Sequence, residues 1–389
     1  MDIVHQGVVT LLRSAVTGEK LPLPEGFELE SAETLIGKQG LLPLAYQGAY
    51  RCGVDPKSEI MQRFQKKYFM QLMRSEQQMQ KAGQIFKAFD ENGIDYLPMK
   101  GCVLKKLYPQ PEMRIMGDAD ILIRSEQYER IKPVMESLGF TEDVWSTYDV
   151  HWISRELLAE LHYRLFSDNH EDLCGYFEDG WSKAVKTEGN RYEFTPEDTF
   201  LYIFSHMTKH FRFCGIGARQ IVDLYVYRKA YPRMDEAKVE AVMAEMNLLK
   251  FYRNIKKLLE VWFEGAQPEP VTELIGTYVL SGGSFGTVEN EMLSRELVRV
   301  QNEGAAQSSR GRSVWKMLFP PLSYLQLSYN VLYRHPWLQP AFWVIRWADI
   351  LLHRRKNIAR KLNVIRGITN EGIDRHRTLL QDMGLDYFA

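Results

Sequence analysis

Residues 114–123 read Arg114-Ile115-Met116-Gly117-Asp118-Ala119-Asp120-Ile121-Leu122-Ile123. The short, β-branched apolar run that closes this stretch predicts a strand over 118–123. Side chains alternate faces along a strand, so Asp118 and Asp120 point one way and Ala119, Ile121 and Ile123 the other. Two carboxylates this close repel each other unless a cation sits between them. Mg²⁺ suits such a pair, because it takes hard oxygen ligands from a few carboxylates and completes its shell with phosphate and water. Mn²⁺ is the alternative ion. The plain structural reading is a pair of solvated acids on an edge strand.

Upstream, Ile94 to Met99 reads as a short strand and Cys102 to Tyr108 as a short helix, with Lys100 and Gly101 at the turn between them. Gly101 lets a backbone approach a phosphate, and the helix beginning at Cys102 offers N–H groups there. Lys100 and Arg114 supply cations for a triphosphate, with Gly117 in the turn before the Asp pair. Downstream, Ser125 is placed to cap a helix that runs to Leu138 and stops at Gly139. Two strands follow, at 148–153 and 159–165, joined through Ser154-Arg155-Glu156. In the second, Glu160, His162 and Arg164 share a face. Glu160 thus offers a third carboxylate for a two-metal site and a base for an attacking hydroxyl. For His162, a hydrogen-bonded core histidine and a substrate contact are equally open.

The run K-G-x₁₂-R-x₂-G-D-A-D-I-L-I, followed by E-L-H-Y-R-L, closely resembles the uncharacterised nucleotidyltransferase family of bacteria, within the DNA polymerase β-like superfamily. Residues 94–165 carry most of the resemblance. The segment His206-Met207-Thr208-Lys209-His210, with Arg219 and Asp223, also resembles the later part of that family. The resemblance implies nucleotidyl transfer from an NTP, with metals on Asp118, Asp120 and Glu160 and with His206, Lys209, His210 and Arg219 lining the nucleotide cleft. Cys102 stands where the wider superfamily carries serine, so a hydroxyl contact to phosphate is missing. Read without the resemblance, His206 and His210 have metal-ligand spacing but lack the glutamate of the zincin signature, and Arg219 with Asp223 has the spacing of an intrahelical ion pair.

The rest of the 389-residue chain is helical in pattern. Residues 1–92 form a first helical region, ended by Asn92-Gly93. Residues 93–195 form the nucleotidyltransferase core. A second helical region, 196–305, starts at Thr195-Pro196-Glu197-Asp198, which supplies a cap, an N1 proline and first-turn acids. Helices are predicted at 197–211, 217–231, 235–247, 249–263, 270–280 and 289–302, with a flexible break at 281–284. The expected class is α+β, a small mixed sheet with extensive flanking helices.

Composition is that of a globular protein, with 45% hydrophobic residues and a net charge of −1. No global basic field for nucleic acid is present. Four cysteines without CxxC pairing argue against a zinc ribbon and fit a reducing cytoplasm. Residues 306–367 differ: they hold 11 Lys plus Arg against one acid, Asp349, which makes them +10 and the remainder −11. They are also rich in Trp, Tyr and Phe. Two functional readings stand for this C-terminal region, 306–389: peripheral contact with an anionic inner-membrane surface, or contact with an acidic acceptor such as a phosphorylated glycan precursor. The structural reading is helices packed on the body with snorkelling cations. The rivals to an NTP-using transferase with an unknown acceptor are a nucleotide-binding protein without turnover and a membrane-surface accessory protein of polysaccharide assembly.

Overall fold

The structure is a computed structural model that describes residues 1–146, 148–166, 171–284, 286–303, 315, 318–326, 329, 331–353, 364 and 367–385. Much of the basic sequence at 306–367 therefore lies outside the described residues. The class is α+β, as its alternating patterns predict.

Four helices open the chain: α1 (Ile3–Thr17), α2 (Leu29–Gln39), α3 (Leu42–Cys52) and α4 (Glu59–Glu91). Ser58 caps α4, and Asn92 and Gly93 end it, Gly93 with φ +62°. At 33 residues, α4 is about 50 Å long. The sheet region follows: β1 (Tyr96–Pro98), α5 (Gly101–Leu104), β2 (Asp118–Ile123), α6 (Tyr128–Ser137), β3 (Thr141–Trp145), β4 (Asp149–Ile153) and β5 (Leu158–His162). After α7 (Glu171–Phe177), the short strands β6 (Val185–Lys186) and β7 (Tyr192–Glu193) pair as a ribbon. Then come α8 (Pro196–Phe213), α9 (Ala218–Ala230), α10 (Glu236–Glu245), α11 (Leu249–Leu259), a π-helical turn at Glu260–Glu264, α12 (Pro270–Ser281) and α13 (Val288–Glu303). Thr195 caps α8 by accepting from the Asp198 N–H, with Pro196 at the first turn.

The sheet order is β1-β2-β5-β4-β3. β5 is central, β2 lies inside the sheet beside it and parallel to it, and the other pairs are antiparallel. Strand alternation sorts the two faces. Ala119, Ile121 and Ile123 join Ala159, Leu161, Val150 and Trp152 in one core, closed by Ala82, Ile85 and Phe89 of α4 and by Ile131 and Met135 of α6. A second core unites α1–α3 and the first turns of α4 with α8, α9, α11 and α12. The sheet's polar face looks toward α8.

Several local expectations change. β3 was not anticipated, and β5 stops at His162 instead of reaching 165. Ser125 opens a 3₁₀ turn and makes no capping bond to α6. The predicted break at 281–284 is held in place: Gly283 exchanges backbone bonds with Gly286, the Ser284 N–H donates to the Lys38 carbonyl, and Thr287 donates to Cys214. A Cβ on Gly286 would meet that Cys214 carbonyl at 1.6 Å, so here glycine serves close backbone contact and not flexibility. Among the described residues no helix is long and apolar enough to cross a membrane.

Candidate active site on the polar face of the sheet

The parallel register of β2 and β5 sets Asp120 opposite Glu160 and Leu122 opposite His162. Antiparallel pairing then sets His151 opposite Glu160 and Asp149 opposite His162. Register partners share a face, so the polar residues form cross-strand rows: Asp120–Glu160–His151 and, one step along, His162–Asp149. Asp118 lies on the same face at the start of β2. The ligand atoms of Asp120, Glu160 and His162 all lie within 4.8 Å of one another, and so do those of Asp149, His151 and Glu160. Glu160 belongs to both groups. Asp149 and His151 were missed in the sequence, although Asp149-x-His151 has the same alternation that singled out the Asp pair.

Asp120 is buried, and its Oδ1 accepts from Lys100 Nζ at 2.5 Å and meets His162 Nε2 at 3.1 Å. Burial alone would raise its pKa, but Lys100 and His162 hold it well below the usual carboxylate range. Burial likewise works against the charge on Lys100, and Asp120 outweighs it, so the ammonium titrates above its ordinary value. Lys100 and His151 also act on Glu160 but are outweighed there. Burial, then the charges of Asp120 and Asp118, push it up to about 7. Asp118 is also raised, by burial first and then by Asp120. Both carboxyls are thus raised first by burial and then by their acidic neighbours.

His162 Nδ1 is buried and has no hydrogen-bond partner among the described residues. With no acceptor placed at Nδ1, Nε2 is the ring nitrogen that meets Asp120, and a proton carried there is donated to that carboxylate. Metal-bound histidines direct their second N–H to an acceptor. This geometry makes His162 the donor that orients Asp120. His151 Nε2 lies 3.6 Å from Asp149 and 3.7 Å from Glu160. The Ser146 hydroxyl donates to the other oxygen of Asp149 at 2.5 Å.

The cations expected around a triphosphate divide into two sets. Arg114 is buried, and its guanidinium donates to both oxygens of Asp223, at 2.7 and 3.0 Å, so it is not offered to a ligand. Asp223 pairs with Arg114 and not, as spacing predicted, with Arg219. Arg219 donates to the Ile115 carbonyl at 2.6 Å, while its buried Nε has no hydrogen-bond partner among the described residues. It lies within electrostatic reach of Asp118. Lys209 is brought down to about 8, by burial and then by Lys100, while Asp120, Asp149 and Glu160 pull the other way. His206 and His210 meet edge to face on α8 with their Nε2 atoms 3.3 Å apart, and neither belongs to a ligand group among the described residues. Burial, then Lys100, depresses His206 strongly.

Lys100 has φ +39°, a strained conformation for a residue with a side chain. Gly101 begins α5, where a Cβ would meet Met116 Sδ at 2.8 Å. Its lack of a side chain is thus required by packing as well as suited to a close ligand. The Cys102 N–H donates to the Met99 carbonyl and its thiol is buried, so neither is presented to a phosphate. Gly117 is exposed, with nothing within 4 Å of where a Cβ would be.

No curated protein and no solved structure matches the chain. Residues 26–264, more than half of its length, match the family described as Uncharacterised nucleotidyltransferase, and they contain the sheet, the carboxylate row and the facing helices α8 and α9. The chain belongs to the uncharacterised nucleotidyltransferase family.

Proposed function

We propose that the protein transfers a nucleoside monophosphate from an NTP to a hydroxyl or phosphate acceptor, in the manner of the DNA polymerase β-like nucleotidyltransferases. The observation that carries this reading is the register of Asp120 against Glu160 on adjacent parallel strands, with Asp118 on the same face. The donor set fits a divalent cation: ligand atoms of Asp120, Glu160 and His162 lie within 4.8 Å of one another, and Asp118, outside that group, starts the same face close enough for Asp120 to raise it. Asp118, Asp120 and Glu160 would hold it, with Mg²⁺ the first candidate and Mn²⁺ the second. When bound, the ion supplies positive charge to the α-phosphate and to the departing pyrophosphate.

The chain's own groups do the rest. Lys100 and His162 fix Asp120. Arg219 and Lys209, from α9 and α8, face the triphosphate in place of Arg114. The acceptor oxygen attacks the α-phosphorus, a new P–O bond forms, and the bond to the bridging β-phosphate oxygen breaks. Pyrophosphate leaves with that electron pair. Glu160 takes the proton of an acceptor hydroxyl.

The test is calorimetric titration with each NTP plus Mg²⁺, followed by transfer of α-labelled NTP to acceptors from cell extract. Metal-dependent binding and a labelled product are expected for the wild type and not for Asp118→Asn. NTP binding that persists unchanged in EDTA defeats the reading.

A further inference from the structure

The helix Gln339–His353 is apolar on both sides. Its inner side packs: Trp343 Nε1 donates to the Pro320 carbonyl, Trp347 Nε1 donates to the Leu318 carbonyl, and both rings stand edge-on to Phe319. Phe342 meets Tyr329. The outer side carries Ala341, Val344, Ile345 and Ala348, all exposed, at the three- and four-residue spacing of a single stripe. Trp337, in the 3₁₀ turn Pro336–Leu338 just before, is 74% exposed; Val344 is 61% exposed and Ile345 49%. An apolar outer stripe is what solvent-facing helices lack.

We infer that this stripe docks on an anionic lipid surface. Charge selects the occupant. The sequence around the stripe, 306–367, is +10, while the remainder of the chain is −11. A second copy docking through the same stripe would bring two +10 segments together, which opposes it. An anionic bilayer attracts them. The helix has 15 residues, about 22 Å, too short to span a bilayer, and no described helix is long and apolar enough to cross one. It therefore lies along the interface, with its apolar side among acyl chains and Trp337 at headgroup level. Trp343 and Trp347 stay on the protein side.

This inference is independent of the nucleotidyl-transfer reading, because its test needs no nucleotide. The full chain is floated with phosphatidylcholine vesicles that contain or lack phosphatidylglycerol. Binding to the anionic vesicles alone, weakened by added salt, is expected. The double variant Val344→Asp/Ile345→Asp alters only exposed positions, and should lose binding by about tenfold or more while keeping its circular dichroism. Equal flotation of the variant, equal binding to phosphatidylcholine alone, or no flotation overturns the inference. So does a dimer in sedimentation velocity that the variant dissolves, which would assign the stripe to a second copy.

Discussion

The guanidinium of Arg114 clasps both carboxylate oxygens of Asp223, 109 residues further along the chain, and the Tyr108 hydroxyl donates to the same group at 2.7 Å. The loop that launches β2 is thereby fixed to α9, which also carries Arg219. Removing one partner strands a buried charge. Asp223→Ala should cost about 3–5 kcal/mol in urea unfolding. Arg114→Lys keeps the charge but loses the two-pronged contact, and should fall between that variant and wild type. A change near zero in either would contradict the burial of the pair.

Asp118 and Asp120 should respond differently to neutralisation. Asp118→Asn removes repulsion at the start of β2, and should bind divalent cations poorly while folding at least as stably as wild type. Asp120→Asn leaves Lys100 buried without its counter-charge, and should lose about 2–4 kcal/mol. Adding Lys100→Met should recover part of that loss without restoring cation binding. Thermal melts in EDTA and calorimetry with Mg²⁺ read the two effects separately.

Glu160 gives the apoprotein a pH signature. Its carboxyl titrates at about 7 in the folded chain against an ordinary 4.5. With the folded value raised, its contribution is fully present below the ordinary value and is lost as pH rises through the folded one. Melting temperature in EDTA should therefore fall across that window. Glu160→Gln should flatten the fall, gain on the order of 2 kcal/mol at pH 8, and abolish transfer. Saturating divalent cation should remove most of the slope in wild type, since it favours the ionised form. An unchanged slope in Glu160→Gln would assign the titration elsewhere.

Lys209 and Arg219 should govern affinity for the NTP. Lys209 loses its charge as pH passes about 8, so KM for the NTP should climb above that point. Lys209→Arg should move the climb to higher pH. Arg219→Ala should raise KM by about tenfold or more with a smaller effect on melting temperature than Asp223→Ala, because the hydrogen bond it makes among the described residues is to a carbonyl and not to a buried counter-charge. Equal KM values for wild type and Arg219→Ala would remove Arg219 from the phosphate site.

What the sequence disclosed followed from local periodicity. The alternation at Asp118–Ile123 placed that strand to the residue, and the Thr195-Pro196 start placed α8. The pairing of Asp120 with Glu160 was expected only in kind, and the register made it specific. Contacts between distant segments were out of reach. Nothing local joins Arg114 to Asp223, so spacing pointed to Arg219 instead. Asp149 and His151 were legible in principle, since they alternate with Val150 and Trp152, which lie in the core beneath the sheet. The glycines of the 281–284 break read as looseness, because composition does not say which backbone will press against them.

Helix α4 passes through both interiors of the molecule. Ile60, Met61 and Phe64 are buried with α1 and α3, and Ala82, Ile85 and Phe89 are buried beneath the sheet. Between them, Gln78 donates to the Met116 carbonyl beside the Asp pair. A single unbroken rod is thus a shared member of two hydrophobic compartments. Neither compartment can melt without fraying the other's wall, so heat should dissolve both in one cooperative step, and the carboxylate row should vanish with them and not before.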